Sequence, residues 1–66
     1  MHKIMDLKVN GRHYVCKHDA SKNFPYRLYL EWSEPKMYGM KHCSRTIAQH
    51  DNIGMILLEI ISREQN

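Results

Sequence analysis

Long apolar runs are missing from this 66-residue chain, and so are most residues that staple or interrupt a fold. No stretch approaches the roughly 20 consecutive apolar residues that cross a bilayer. No N-terminal segment joins a basic start, an apolar stretch and a small-residue cleavage site. Neither a membrane span nor a secretory leader is read, and the expected location is cytoplasmic. Two cysteines, Cys16 and Cys43, are too few for the disulfide frameworks of small secreted domains, and in a reducing compartment both stay thiols. Three glycines and two prolines exclude low-complexity and collagen-like chains. A marked excess of one charge is also absent. Ten Lys and Arg against seven Asp and Glu give +3, which permits a polyanionic partner without demanding one.

At this length one domain is expected, spanning residues 1–66, near the lower limit for folding without a staple. Such a domain holds only a few kcal/mol of stability. The chain starts at Met and has no visible linker, so a complete small reading frame is expected. A chain this small leaves little volume for an enclosed active site, and binding is the expected mode of action.

The densest apolar run is Ile53-Gly54-Met55-Ile56-Leu57-Leu58-Glu59-Ile60-Ile61. At about 100° per residue, Ile53, Ile56, Leu57, Ile60 and Ile61 fall on one stripe, the pattern of a core-facing helix. Thr46 and Gln49 fit a capping box that would start this helix early, with Asp51 as a rival start. Residues 63–66 are polar and are expected to fray.

Upstream the pattern changes to a period of two. Asn10-Gly11 suits a tight hairpin turn, because both central residues of that turn need positive φ. Centring the turn there pairs Val9 with Arg12, Leu7 with Tyr14, and Met5 with Cys16. These six share a largely apolar face. Ile4, Asp6, Lys8, His13, Val15 and Lys17 share the other. A third strand follows, with Phe24, Tyr26, Leu28, Leu30 and Trp32 on one side and Pro25, Arg27, Tyr29, Glu31 and Ser33 on the other. Pro25 belongs at its start, where a missing N–H costs least. Ser33-Glu34-Pro35-Lys36 reads as a turn, leading to a short irregular fourth strand over 37–42. The fold class is α+β: a three- or four-stranded antiparallel sheet, opened by the Asn-Gly hairpin, with one C-terminal helix packed on one face. In element order this is similar to the sheet-plus-helix DNA-binding modules at the N-termini of some phage integrases. The similarity is one of element order alone, and it implies no residue roles.

Two surfaces are candidates for function. On the helix, Met55 and Leu58 project roughly opposite Ile53 and Ile60, and one sheet cannot cover both sides. They are either scattered exposed apolar residues, which is common, or a patch for a protein partner or a second copy of the chain. Met37 and Met40 would extend such a surface, since Met adapts to varied partners. On the uncovered sheet face, Lys8, His13, Lys17, Arg27 and Tyr29 emerge together, with Asp6 and Glu31 as counter-charges. Basic and aromatic side chains on an open sheet suit phosphate neutralisation and base stacking. The plainer reading is a solvated face.

Chemistry has less support. Cys16, His18, His42 and Cys43 supply the residue types of a zinc site, but one pair is separated by a single residue and the other is adjacent, unlike zinc knuckles. No cofactor and no metal are expected. His42 or His50 could act as a general base in a small ribonuclease, yet that role needs a second group that the sequence does not place. No phosphate loop, H-E-x-x-H or nucleophile elbow is present. The expectation is a non-enzymatic protein that regulates or inhibits a protein partner by stoichiometric binding. Phages and mobile elements are rich in such proteins. Binding of nucleic acid through the basic sheet face is the alternative.

Overall fold

A computed structural model of the protein describes residues 2–65. Four antiparallel strands form one sheet in the order in which they occur: β1 (His2–Val9), β2 (Arg12–His18), β3 (Tyr26–Lys36) and β4 (Gly39–His50). One helix, α1 (Ile53–Glu64), follows. The α+β class with a C-terminal helix on one sheet face is thus the observed architecture.

The Asn10-Gly11 turn forms as expected, with φ of 51° and 81° at the two residues. It sets the register: Val9 faces Arg12, Leu7 faces Tyr14 and Met5 faces Cys16. A one-residue irregularity between Lys3 and Met5 then shifts the start of β1. The period-two pattern holds through β3, so Tyr14, Cys16 and Leu28 fall on one face and are buried there. Ile56 and Ile60 close over them from α1. Met5, Val9, Tyr26, Leu30, Ile47 and Ala48 pack around this cluster. Burial pushes the Cys16 thiol above its usual range, which keeps it protonated and inert.

Several expectations are corrected. Thr46 and Gln49 do not cap a helix. Both lie in β4, opposite Tyr29 and Arg27, and α1 starts seven residues after Thr46 with Asn52 as its cap. The Asn52 side chain accepts a hydrogen bond from the Gly54 amide at 2.7 Å. Pairing with β3 from Gly39 to His50, interrupted by a bulge at Ile47, outweighs a local capping signal, because the paired residues gain cross-strand partners. The fourth strand is accordingly twelve residues long rather than a short piece over 37–42.

Ser33–Lys36 is not a turn either. β3 runs through it, and the chain reverses at Met37-Tyr38, with Gly39 at φ 116°. Pro35 is tolerated because β2 ends opposite Glu31, so β3 has a free edge from Trp32 onward. At the other end, Phe24 lies ahead of the strand and is half exposed. The C-terminal residues are also more ordered than expected. Arg63 and Glu64 are helical and engaged, while Asn66 lies outside the described residues.

The helix stripe is narrower than the periodicity implies. Only Ile56 and Ile60 of α1 are buried. Ile53, Leu57 and Ile61, expected in the core, are 37%, 43% and 50% exposed. The reason is geometric. A single helix touches a sheet along one line, and α1 rests chiefly on β3 and β4. The helix-side face of β1 is left thinly covered, and Leu7 is exposed there.

Candidate functional site

The direction of α1 follows from its last turn. Glu64 accepts hydrogen bonds from Arg12 Nη1 at 3.0 Å and from Asn10 Nδ2 at 3.0 Å, and Tyr14 Oη donates to it. The helix therefore leaves the end of β4 and runs back toward the β1–β2 turn. These donors hold the Glu64 carboxyl below the usual range, with the Tyr14 bond as the largest contribution. The Tyr14 hydroxyl is pushed up in turn, first by burial and then by the same carboxylate. On the other flank, Glu59 Oε1 lies 3.4 Å from His50 Nε2, and Arg63 Nη2 donates to the Ile47 carbonyl at 3.3 Å.

These contacts orient the whole helix. At about 100° per residue, Glu64 lies between Ile60 and Leu57, so the Leu57 and Ile61 side of α1 is turned toward β1 and β2. Glu59 and Arg63 lie on the β4 side. Each charged side chain of α1 is thus bound to its own sheet or to a neighbour on the helix. The uncharged residues of α1 that stay exposed are Ile53, Met55, Leu57, Leu58, Ile61 and Ser62. Met55 and Leu58, picked out by sequence, are 44% and 56% exposed. Leu57 and Ile61 join them, and sequence reasoning missed both by assigning them to the core. A count of how many stripe positions one sheet can cover would have flagged them.

The opposite sheet face carries no helix. Lys8, His13, Lys17, Arg27 and Tyr29 do share it, as cross-strand pairing places Lys8 beside His13, Lys17 beside Arg27, and Tyr29 beside Val15. Most of these groups are already engaged. The Lys17 ammonium sits 5.0 Å from the Tyr29 ring centroid, a cation–π contact. His13 Nε2 donates to Asp6, which also takes Lys3 Nζ at 3.0 Å. Lys3 is the main cause, with His13 next, of the lowered pKa of Asp6. Glu31 Oε1 lies 3.9 Å from His13 Nδ1 and 3.3 Å from His42 Nε2. A chain of polar contacts thus crosses the face from Lys3 to His42. Val15 is buried beneath these neighbours. Lys8 has no such partner among the described residues, and Arg27 Nε is buried without a hydrogen bond.

The four candidate zinc ligands are scattered. Cys16 pairs with Leu28 in the core, and His18 stacks near Tyr26 with centroids 4.8 Å apart. His42 and Cys43 pair with Ser33 and Trp32, several rows away. Among the described residues no group of three His, Cys, Asp or Glu side chains is arranged to hold a metal ion. Nor is any helix long and apolar enough to cross a membrane. A shallow hollow of about 290 Å³ lies beside the end of α1, lined by Arg12, Tyr14, Leu30, Ile47 and Arg63. Both guanidinium groups there are paired, with Glu64 and Glu59.

Beyond the His13–Glu31 pair β1 and β2 keep only the Val9–Arg12 pair and their turn, while β3 and β4 continue as a two-stranded arm that ends in Met37 and Tyr38. Five further residue pairs carry it about 17 Å beyond Glu31. Trp32 and Cys43, paired at its root, lie past the line of core residues, and Trp32 Nε1 donates to Glu34 at 3.0 Å.

Comparison of the chain with family models, with curated proteins and with solved structures found no match.

Proposed function

We propose that the chain is a non-enzymatic binding protein that acts by stoichiometric contact with a protein, seated on the outer face of α1. One observation carries this reading. Met55, Leu57, Leu58 and Ile61 are 43–56% exposed on a twelve-residue helix whose charged side chains all turn to its flanks. Soluble chains seldom leave apolar side chains contiguous on one face, and such patches mark interaction surfaces. Depletion of charge from the patch centre is a further mark of an interface.

Nucleic-acid binding is the alternative reading. It would rest on Lys8 and Arg27, since Lys17 and Tyr29 contact each other and His13 contacts carboxylates. That is a thin electrostatic footprint for a polyanion.

Leu58→Glu tests the leading reading. The side chain is half exposed, so the variant is expected to keep its circular dichroism spectrum and its melting temperature. Its association should be lost. An unchanged mass in solution together with unchanged binding to any protein partner would sink the reading.

A further inference from the structure

We infer that the occupant of this helix face is a second copy of the chain, bound through an antiparallel pair of α1 helices. The two-fold axis passes between Leu57 and Leu58. This rests on the reading of the α1 face as a binding surface and names its partner.

The stripe itself points to a copy. Gly54, Leu57, Leu58 and Ile61 span about 100° of the helix circumference. An isologous contact must be complementary to itself, so that if one residue meets another, the reverse meeting also occurs. An antiparallel pair centred between positions 57 and 58 meets that condition in size. Leu57 of one copy packs on Leu58 of the other, twice. Ile61 reaches the level of Gly54 in the other copy, beside the Asn52 side chain that caps the helix there. The reverse axial directions also set the helix dipoles in a favourable antiparallel arrangement.

Charge argues the same way. A surface with no ionic group in its centre offers nothing to a charged partner, whereas a copy of itself is equally neutral. Glu59, Arg63 and Glu64 border the stripe and are held by His50, Ile47, Arg12 and Tyr14 of their own chain. They fence the stripe without crossing it.

Area sets the expected strength. Leu57, Leu58 and Ile61, with Met55 and Leu7 at the margins, offer roughly 400 Å² of apolar surface per copy, within the range of functional patches. Two copies approach the lower bound of about 1,000 Å² for specific interfaces. The dimer is accordingly reversible, with a dissociation constant on the order of micromolar rather than nanomolar.

Gly54 has a second role, and this affects the choice of variant. A Cβ there would come within 3.0 Å of Asn52 Oδ1, the helix cap. Substituting Gly54 would disturb the cap and the proposed interface together. The informative changes are at the two central leucines.

Sedimentation equilibrium of the full chain across a hundredfold concentration range is the test, with Leu58→Glu, Leu57→Lys and an equimolar mixture of the two. Wild type should move from one to two chain masses. Each variant alone should dimerise at least tenfold more weakly. In the mixture, the glutamate carried by the Leu58→Glu copy meets the lysine carried by the Leu57→Lys copy. The remaining native Leu57 and Leu58 meet each other, so association should return. A parallel pair would bring 57 onto 57 and 58 onto 58 instead, and no glutamate–lysine pair would form. Failure of the mixture to recover, with wild type dimeric and both variants weakened, overturns the antiparallel register. A dimer undisturbed in both variants overturns the interface and the reading beneath it. A wild type monomeric throughout overturns the second copy as occupant. Binding of 1-anilinonaphthalene-8-sulfonate then separates the two claims. Dye fluorescence that Leu58→Glu abolishes leaves the face a binding surface for another partner, and no fluorescence removes both.

Discussion

The two surfaces that α1 and the sheet turn to solvent differ in how far their own chain satisfies them. On the open sheet face, Lys3, Asp6, His13, Glu31 and His42 form a chain of contacts, and Lys17 lies against Tyr29. Of its apolar residues Val15 is buried, while Ile4 near the start of β1 is exposed. On the outer face of α1, apolar side chains stand half exposed, and the charged groups have been drawn to the edges. The first surface is largely closed on itself, with Lys8 and Arg27 Nε left over among the described residues. The second still has its largest free-energy term, the removal of apolar area from water, ahead of it. Exposure alone therefore does not identify a site. An exposed surface that its own chain leaves unsatisfied does.

Ile56→Ala breaks the comparison from inside, because Ile56 belongs to the same helix but to its buried side. Truncating a fully buried isoleucine costs about 2–5 kcal/mol. A 66-residue domain has little more than that to lose. The variant is expected to be largely unfolded at about 37 °C by circular dichroism, whereas Leu58→Glu stays folded. Equal destabilisation by both would erase the distinction between the inner and outer sides of α1.

Acid pH probes what anchors the helix. Glu64 and Asp6 are more acidic folded than unfolded, so they contribute stability above the usual carboxylate range, near pH 4. That contribution is lost as pH falls through their lowered folded values. The melting temperature should fall as the pH drops below about 4. Glu64→Gln should lower it at neutral pH and make the acid fall shallower. A variant with an unchanged acid profile would show that Tyr14, Arg12 and Asn10 do not hold the helix end through this carboxylate.

The smallest effect is expected on the open face. With Lys8 and Arg27 as the main groups left for phosphate, the log–log salt slope for duplex DNA should be no steeper than about −2. Anisotropy of labelled random oligonucleotides measures it. A slope of about −4 or steeper would show that the internal contacts of this face open to admit a polyanion, and would reverse the ranking of the two surfaces.

Much of this contrast is legible in the sequence, and what is missed has a common cause. Asn10-Gly11 fixes its hairpin by local backbone chemistry, so the register through Met5 and Cys16 can be read directly. The existence of α1 and the outward position of Met55 and Leu58 follow from periodicity. The start of α1 does not. Thr46 and Ile47 end up in β4 because of pairing with a strand some twenty residues earlier, and no local capping signal reports that. Pro35 misleads similarly, since its tolerance within β3 depends on where β2 stops. Leu57 and Ile61 are misassigned to the core because a hydrophobic stripe shows where a helix is apolar, but not how much of that width its sheet can cover. The chain of polar contacts across the open face is visible in the sequence as a set of residues on one face, while its closure by Asp6 and Glu31 needs the side-chain geometry.

The most direct test of the central contrast is a set of ¹H–¹⁵N spectra recorded across a dilution series of the wild-type chain. The amides of Leu57, Leu58 and Ile61 are expected to shift with concentration, while those of His13, Lys17 and Tyr29 hold still. Shifts confined to the sheet face, with α1 unmoved, would contradict that contrast.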